Sequence, residues 1–476
     1  MKMSEVLAKK TISELAPLLQ RREISPVEVT QSVLDRTKKL NDSINAYIDI
    51  NNEKQVLQSA KLAEKEILEG SYRGALHGIP LALKDILNFK GEKVTMGSKI
   101  HQNFIPDFDA TVVTKLKQAG ALFTGKLNMH EYAYGGTTNN PHFGPCRNPW
   151  DLDRIPGGSS GGSGAAVASD MTIASLGTDT AGSIRIPASI CGIVGLKPTH
   201  GLVSKYGCFP LSWSLDHIGP MTKTVEDAAI LLECITGYDQ NDATSVKSSP
   251  FNYNEALTGD IKGKVIGIEE DFFFNMIDHE VDSLVKDGIR KLEELGARIE
   301  LVKIPSLKYS EFAEYMTFMA ESALIHRNNL IERPQDFGED VRASLLLANI
   351  PSANDYLQAQ QIRRKISKEF SMVFEQIDVL IAPTLPVTAS VIGEESVVIN
   401  GQDCSLTDTL IRLTSPANLT GIPSISIPAG LSQGLPVGMQ IMGPAFSEEV
   451  ILNFAFAFEQ TNPLKGLKPE IGQLVK

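Results

Sequence analysis

"IPGGSSGGSGAAVAS", Ile155 to Ser169, sets two adjacent serines in a run of glycines that passes into small apolar residues. How it is read decides the fold, because a phosphate cradle, a nucleophile turn and a plain linker belong to different architectures. A phosphate-binding loop needs Gly-x4-Gly-Lys-Ser/Thr, so that backbone N–H groups, a lysine and a hydroxyl meet the phosphates and their magnesium. No lysine follows Gly162, and the nearest match elsewhere, "GALFTGKL" from Gly120, has Leu127 at the hydroxyl position. A Gly-x-Ser-x-Gly nucleophile elbow is met literally by residues 158–162 with Ser160 as nucleophile, but that motif needs a buried strand before it and a later histidine. The preceding "RNPWDLDRIP" is polar and holds Pro149 and Pro156, and the last histidine in the chain is His326.

The informative feature lies further on. From Gly177 the chain reads "GTDTAGSIRIPASICGIVGLKPTHG", a second run of small residues around a single serine, Ser183, with Asp179 before it and Arg185 after it. The small-residue segment from Ala165 to Ala174 allows the two loops to fold back so that Ser159 and Ser183 meet. Small side chains let the backbone itself approach a substrate, and successive N–H groups at Thr180, Ala181, Gly182 and Ser183 are placed to face a developing oxyanion. Two structural turns account for the loops in isolation equally well.

A serine nucleophile also needs a base. "HGIPLALKDILNFKG" offers Lys84 at the end of an apolar strand. With an ordinary pKa of about 10.4, roughly one lysine in a thousand is neutral at physiological pH. Lowering that pKa by about 3 units costs on the order of 4 kcal/mol, which desolvation in an apolar site supplies. Taken alone, Lys84 reads more plainly as a strand-end lysine reaching solvent or paired with Asp85.

Around these loops, short apolar runs alternate with amphipathic stretches. "IPLAL" (79–83), "ALFTG" (121–125), "KVIGI" (264–268), "RIELV" (298–302), "DVLIAPT" (378–384), "PSISIP" (423–428) and "VGMQIMG" (437–443) read as strands. "DATVVTKLKQAG" and "DSLVKDGIRKLEELGA" read as helices between them. The N-terminal segment, 1–70, is helical, with capping boxes at Thr11/Glu14 and Ser25/Glu28 and Pro26 at a first helical position. The alternation predicts an α/β fold in which a mixed sheet carries helices on both faces. No linker divides the 476 residues, and the polar stretch 238–262 reads as a surface excursion within one domain.

Composition narrows the partners. The net charge of -12 comes from 45 basic and 57 acidic residues with no basic block, which argues against a nucleic-acid backbone as ligand. Cys146, Cys191, Cys208, Cys234 and Cys404 are scattered without metal-ligand spacing, as reduced thiols of a cytoplasmic protein are. "MKMSEVLAKK" lacks the apolar core of a signal peptide, and no apolar run reaches the roughly 18 residues of a membrane span.

"GIPLALKD", "GKLNMHEYAYG", "NPWDLDRIPGGSSGGSGAAVA" and "GTDTAGSIRIPASICGIVGLKPT", in this order, resemble the amidase signature family. "TSPANLTGIPSISIPAG" and "GLPVGMQIMG" extend the resemblance over nearly the whole chain, with residues 76–205 holding the catalytic motifs. It implies a single domain around a large mixed sheet and a Ser-cisSer-Lys triad, with Ser183 as acyl-forming nucleophile, Ser159 as the bridging serine beside a cis peptide, and Lys84 as base. It further implies an oxyanion hole at 180–183, Asp179 and Arg185 as supports of the nucleophile loop, and neither metal nor organic cofactor. Ala181 departs from the glycine that many members carry, and is small enough to keep that hole.

The substrate implied is a linear or ureido-type amide, a small molecule, cleaved to acid and ammonia or amine by a soluble enzyme that admits a homodimer. The competing reading is the glutaminase (A) subunit of a tRNA-dependent amidotransferase. There an arginine and an aspartate hold the charged ends of glutamine; here Ala343 or Ser344 and Ile411 stand at those positions, with Arg342 and Arg412 close by. The segment 128–144 should border the acyl pocket, with Met129 and Tyr132 as walls and His130 and His142 ordering the loop. Phe272, Phe273 and Phe274 belong either to the core or to the pocket entrance.

Overall fold

In the computed structural model, which describes residues 4–248, 251–461 and 468–471, one mixed sheet runs through the chain. Its strands are β1 (Tyr47–Ile50), β2 (Pro80–Lys84), β3 (Leu122–Leu127), β4 (Ala174–Asp179), β5 (Val194–Lys197), β6 (His217–Thr222), β7 (Val265–Ile268), β8 (Arg298–Leu301), β9 (Val379–Pro383), β10 (Ser424–Ser432) and β11 (Leu435–Met442). Their spatial order is β1-β3-β2-β4-β6-β5-β10-β11-β9-β7-β8. The pairs β2/β3, β2/β4, β7/β8 and β7/β9 are parallel and the others antiparallel. The central strands are buried at every residue, as helices on both faces require.

The seven strands read from apolar runs all form. The expected capping boxes also close: Thr11 and Ser25 each accept an N–H from the glutamate three residues on, and those glutamates reach back. The four strands of this sheet missed are β1 and the central β4, β5 and β6. "ASLGTD", "VGLK" and "HIGPMT" mix glycine, proline and polar residues, and burial on both faces erases the alternation that marks a strand.

The Gly/Ser run becomes the helix Gly161–Ala168, buried at every residue and lying against the helix Arg185–Cys191. A Cβ on Gly164 would lie 3.1 Å from Pro187 and 3.2 Å from the Cys191 sulfur, so the run of small residues sets how closely the two helices approach. Residues 238–262 carry no helix or strand where described. Among the described residues, no helix is long and apolar enough to cross a membrane.

Candidate active site

β2 and β4 lie side by side and parallel, so their C-terminal ends deliver Lys84 and the turn after Asp179 to the same edge of the sheet. The Gly/Ser loop closes over that edge. Lys84 Nζ lies 2.7 Å from Ser159 Oγ and 2.6 Å from Thr178 Oγ1, and the Gly158–Ser159 peptide is cis. The side chain is fully buried, and Asp85 turns its carboxylate to Thr95 instead of pairing with it. Burial pulls the Lys84 pKa from 10.5 to about 7, against the opposing pull of Cys208, Asp216 and Asp179.

The loop that carries Ser183 is held by Asp179. Its carboxylate accepts a forked pair from Arg185, with Nε to Oδ2 and Nη2 to Oδ1 both at 3.1 Å, and backbone N–H groups from Gly182 at 2.8 Å and Ile184 at 3.2 Å. Burial alone would push this carboxyl up, but the Arg185 charge and these bonds bring it down to about 2. Arg185 gives further N–H bonds to Asn418 and Gln440. Asp179 and Arg185 thus stand where a structural support would.

One expected oxyanion donor is thereby removed. The Gly182 N–H is already given to Asp179, whereas those of Thr180, Ala181 and Ser183 have no acceptor among the described residues. Gly182 serves the loop differently: its φ is +126°, and a Cβ there would meet Thr414 Oγ1 at 2.3 Å. Ala181 keeps a negative φ, so alanine fits where the family favours glycine. Thr414 donates to the Ala181 carbonyl at 2.5 Å, and Thr180 donates to Asp216 at 2.6 Å. Burial lifts Asp216 to about 6 despite Lys205 and that bond.

Ser160, the literal elbow serine, is spent on the backbone of Thr178, and its N–H joins the two loops by donating to the Ser183 carbonyl at 3.3 Å. The Ser183 hydroxyl makes no hydrogen bond among the described residues and faces a cavity of about 570 Å³. Lys84 and Ser159 do not line that cavity. A hollow of about 670 Å³ lined by Lys9, Glu14, Phe458 and Lys468 contains none of these groups, so the chemistry and not the size locates the site.

The cavity wall differs from expectation. Met129 and Tyr132 are fully buried and do not line this cavity; Tyr132 packs among Phe209, His326 and Phe337, with its hydroxyl against His101 Nδ1. The reason is the turn Glu131–Ala133, where Tyr132 and Ala133 take φ of 53° and 62° and send the ring into the core. His130, Ala133 and Tyr134 border the cavity instead. His130 contacts Asp340 at 2.9 Å and His142 contacts Glu131 at 2.9 Å, as loop-ordering groups do. Phe272, Phe273 and Phe274 pack on the core and stay out of the cavity.

The opposite wall comes from positions that no motif marked: Tyr315, Phe318 and Met319 on the helix Ser310–Glu332, and Leu347 on Glu339–Leu347. Ser344 and Ile411 also line it, whereas Arg342 and Arg412 do not; Arg412 gives its guanidinium to the carbonyls of Phe272, Asn275 and Met276. No lysine or arginine is among the described lining residues, and Asp340, Glu394 and Glu395 sit at its border. Thr178, Asp216, Thr414 and Asn418 were missed as individual residues. Two of them, Thr414 and Asn418, lie in "TSPAN", whose signal was a motif without a role.

The Amidase family model matches residues 28–452. The glutamyl-tRNA(Gln) amidotransferase A chain of Thermoanaerobacter pseudethanolicus is 42% identical over 97% of this chain and 98% of its own length. The solved structure of its Thermotoga maritima counterpart superposes with a TM-score of 0.83 at 40% identity, covering 98% of each chain. A structure solved as part of a vestigial protein complex that reveals the origins of an s-triazine catabolic enzyme superposes with a TM-score of 0.92 at 32% identity, over 95% of this chain and 99% of that one.

Proposed function

The chain belongs to the amidase family, a family of hydrolases acting on carbon–nitrogen bonds, and from that premise we propose that it cleaves a linear amide through an acyl-enzyme on Ser183. The observation that carries this reading is the contact of buried Lys84 with Ser159, on a loop whose Ser160 N–H meets the Ser183 carbonyl while Ser183 itself lines the cavity. Neutral Lys84 takes the proton of Ser159, Ser159 takes that of Ser183, and Ser183 Oγ attacks the amide carbon. The carbonyl oxygen becomes an oxyanion that accepts from the N–H groups of Thr180, Ala181 and Ser183, where each donor is typically worth about 3–4 kcal/mol. As the C–N bond breaks, the proton returns through Ser159 to the leaving nitrogen. Water then enters by the reverse relay and releases the acid.

The lining supports an acyl group with apolar surface and no negative charge, because Tyr315, Phe318, Met319, Leu347 and Ile411 border the cavity with Asp340, Glu394 and Glu395, and no lysine or arginine does among the described residues. A second reading makes glutamine the substrate and the chain the glutaminase component of an amidotransferase with protein partners. The likeness to the two amidotransferase chains over nearly their whole length favours it, and backs it more directly than a free-standing hydrolase. The cavity weighs the other way, since a zwitterion needs a partner for its carboxylate. A cytoplasmic location, read from five free cysteines, belongs to the same proposal.

The test is ammonia or amine release by the purified chain on simple amides, ureido compounds and glutamine, beside Ser183→Ala. Cleavage of apolar amides but not glutamine, lost in Ser183→Ala, is the expected result. Turnover of glutamine alone, or none until amidotransferase partners are added, would establish the second reading. Undiminished hydrolysis by Ser183→Ala would overturn both.

A further inference from the structure

Behind the nucleophile loop, three neighbouring strands end together, and each places a polar group on one line. Asp179 ends β4, His217 opposes it in register at the start of β6, and Lys197 ends β5. His217 Nδ1 lies 3.2 Å from the Asp179 carbonyl oxygen, and its Nε2 lies 3.2 Å from Lys197 Nζ. All three residues are buried.

Elementary valence fixes the protons. A carbonyl oxygen only accepts, so Nδ1 carries the hydrogen, and a neutral ring then presents a lone pair at Nε2. Lys197 Nζ faces that lone pair and also the carbonyls of Ile422 at 2.6 Å and Pro198 at 3.0 Å; burial holds its pKa well below the ordinary lysine value, and charged or neutral it has N–H bonds to direct at these acceptors. Burial and the neighbouring Lys197 and Lys205, with His200 stacked edge-on, keep the His217 pKa well below its ordinary value, consistent with a neutral ring.

The Asp179 carbonyl shares its planar peptide with the Thr180 N–H, one of the three unclaimed donors at the cavity. Whatever holds that oxygen also sets where the N–H points and polarises it. We infer that His217, held in one tautomer by Lys197, aims the Thr180 N–H at the reacting oxygen and is a positioning residue for acyl transfer. The inference rests on Ser183 being the nucleophile proposed above. Asn418 Nδ2 donates to the same carbonyl at 3.1 Å, so removing His217 weakens the hold without freeing the peptide.

The test needs no knowledge of the substrate. A fluorophosphonate reacts by forming a bond from Ser183 Oγ to phosphorus; the phosphoryl oxygen gains negative charge in the five-coordinate transition state, where the oxyanion hole meets it, fluoride is then expelled to leave a neutral phosphonate ester, and the serine proton passes to the Ser159–Lys84 pair. Labelling is measured for the full chain and for Ser183→Ala, His217→Leu, His217→Gln and Lys197→Met, separating the first-order step from the half-saturating concentration. His217→Leu should slow the first-order step roughly ten- to a hundred-fold, with saturation shifted less than about twofold. His217→Gln, whose amide still donates to the carbonyl, should recover most of the rate. Lys197→Met should fall between, with the ¹⁵N signals of His217 showing both tautomers. If Ser183→Ala is unlabelled while His217→Leu matches the parent, or if leucine and glutamine slow the step equally, the inference fails alone. Labelling of Ser183→Ala at the parent rate would instead remove the nucleophile on which it rests.

Discussion

Replacing Lys84 by methionine should abolish hydrolysis and stabilise the protein at neutral pH, and both effects have one cause. Burial brings the Lys84 pKa from 10.5 to about 7, so near pH 7 about half of the molecules hold it neutral, against a few in ten thousand for an exposed lysine. Over that interval the shift corresponds to about 5 kcal/mol. The unfolded chain binds this proton below pH 10.5 and the folded chain only below about 7, so between those values the unfolded state holds more protons and stability rises with pH. Below the folded pKa the whole penalty weighs on the native state; by pH 10, under about 1 kcal/mol of it remains. Methionine keeps the length without the charge but forfeits the contacts to Ser159 and Thr178, each worth about 1 kcal/mol. The net gain at pH 7 should therefore be roughly 3 kcal/mol. Urea unfolding of both proteins at pH 7 and pH 10 measures it, and the difference should shrink at the higher pH. For the parent, kcat/KM should rise about tenfold per pH unit towards a midpoint near 7. A profile flat from about pH 6 to 9, or a Lys84→Met protein less stable at pH 7 by a margin unchanged at pH 10, would refute the reasoning.

Gly182→Ala places a Cβ against Thr414 at a φ of +126°, and should cost about 1–3 kcal/mol in urea unfolding, with a larger proportional loss of Ser183 labelling. Arg185→Met strands a buried carboxylate and should cost about 3–5 kcal/mol. Asp179, held near 2 in the parent, contributes stability above its unfolded pKa that is lost as pH falls toward 2; in Arg185→Met burial raises the carboxyl above its unfolded value, so its penalty should be greatest at neutral pH and be relieved as pH falls, which shrinks the gap to the parent in urea unfolding followed by circular dichroism at pH 7 and pH 4. Ile411→Asp with Ser344→Arg puts opposite charges on the cavity wall and should lower the KM for glutamine while weakening turnover of apolar amides. An unchanged glutamine KM would show that these positions are not the anchors.

What the sequence determined by itself was chemistry carried by short, local signals. The capping boxes at Thr11 and Ser25, the strand ending in Lys84 and the two serine loops were legible because each depends on residues a few positions apart. The family resemblance then assigned roles to Lys84, Ser159 and Ser183 that local patterns had left open. Tertiary structure decided what depends on distant partners. Central strands β4, β5 and β6 are buried on both faces, so no alternation betrayed them, although they carry Asp179, Lys197 and His217. Tyr132 turned inward because of a left-handed turn, and the wall passed to Tyr315 and Phe318 on a helix far along the chain. Whether a backbone N–H is free to meet an oxyanion was also beyond the sequence, because Gly182 is spent on Asp179 only once the loop has folded. Hydrogen bonds compete for donors in three dimensions, and that competition, not residue identity, selects which groups remain available for chemistry.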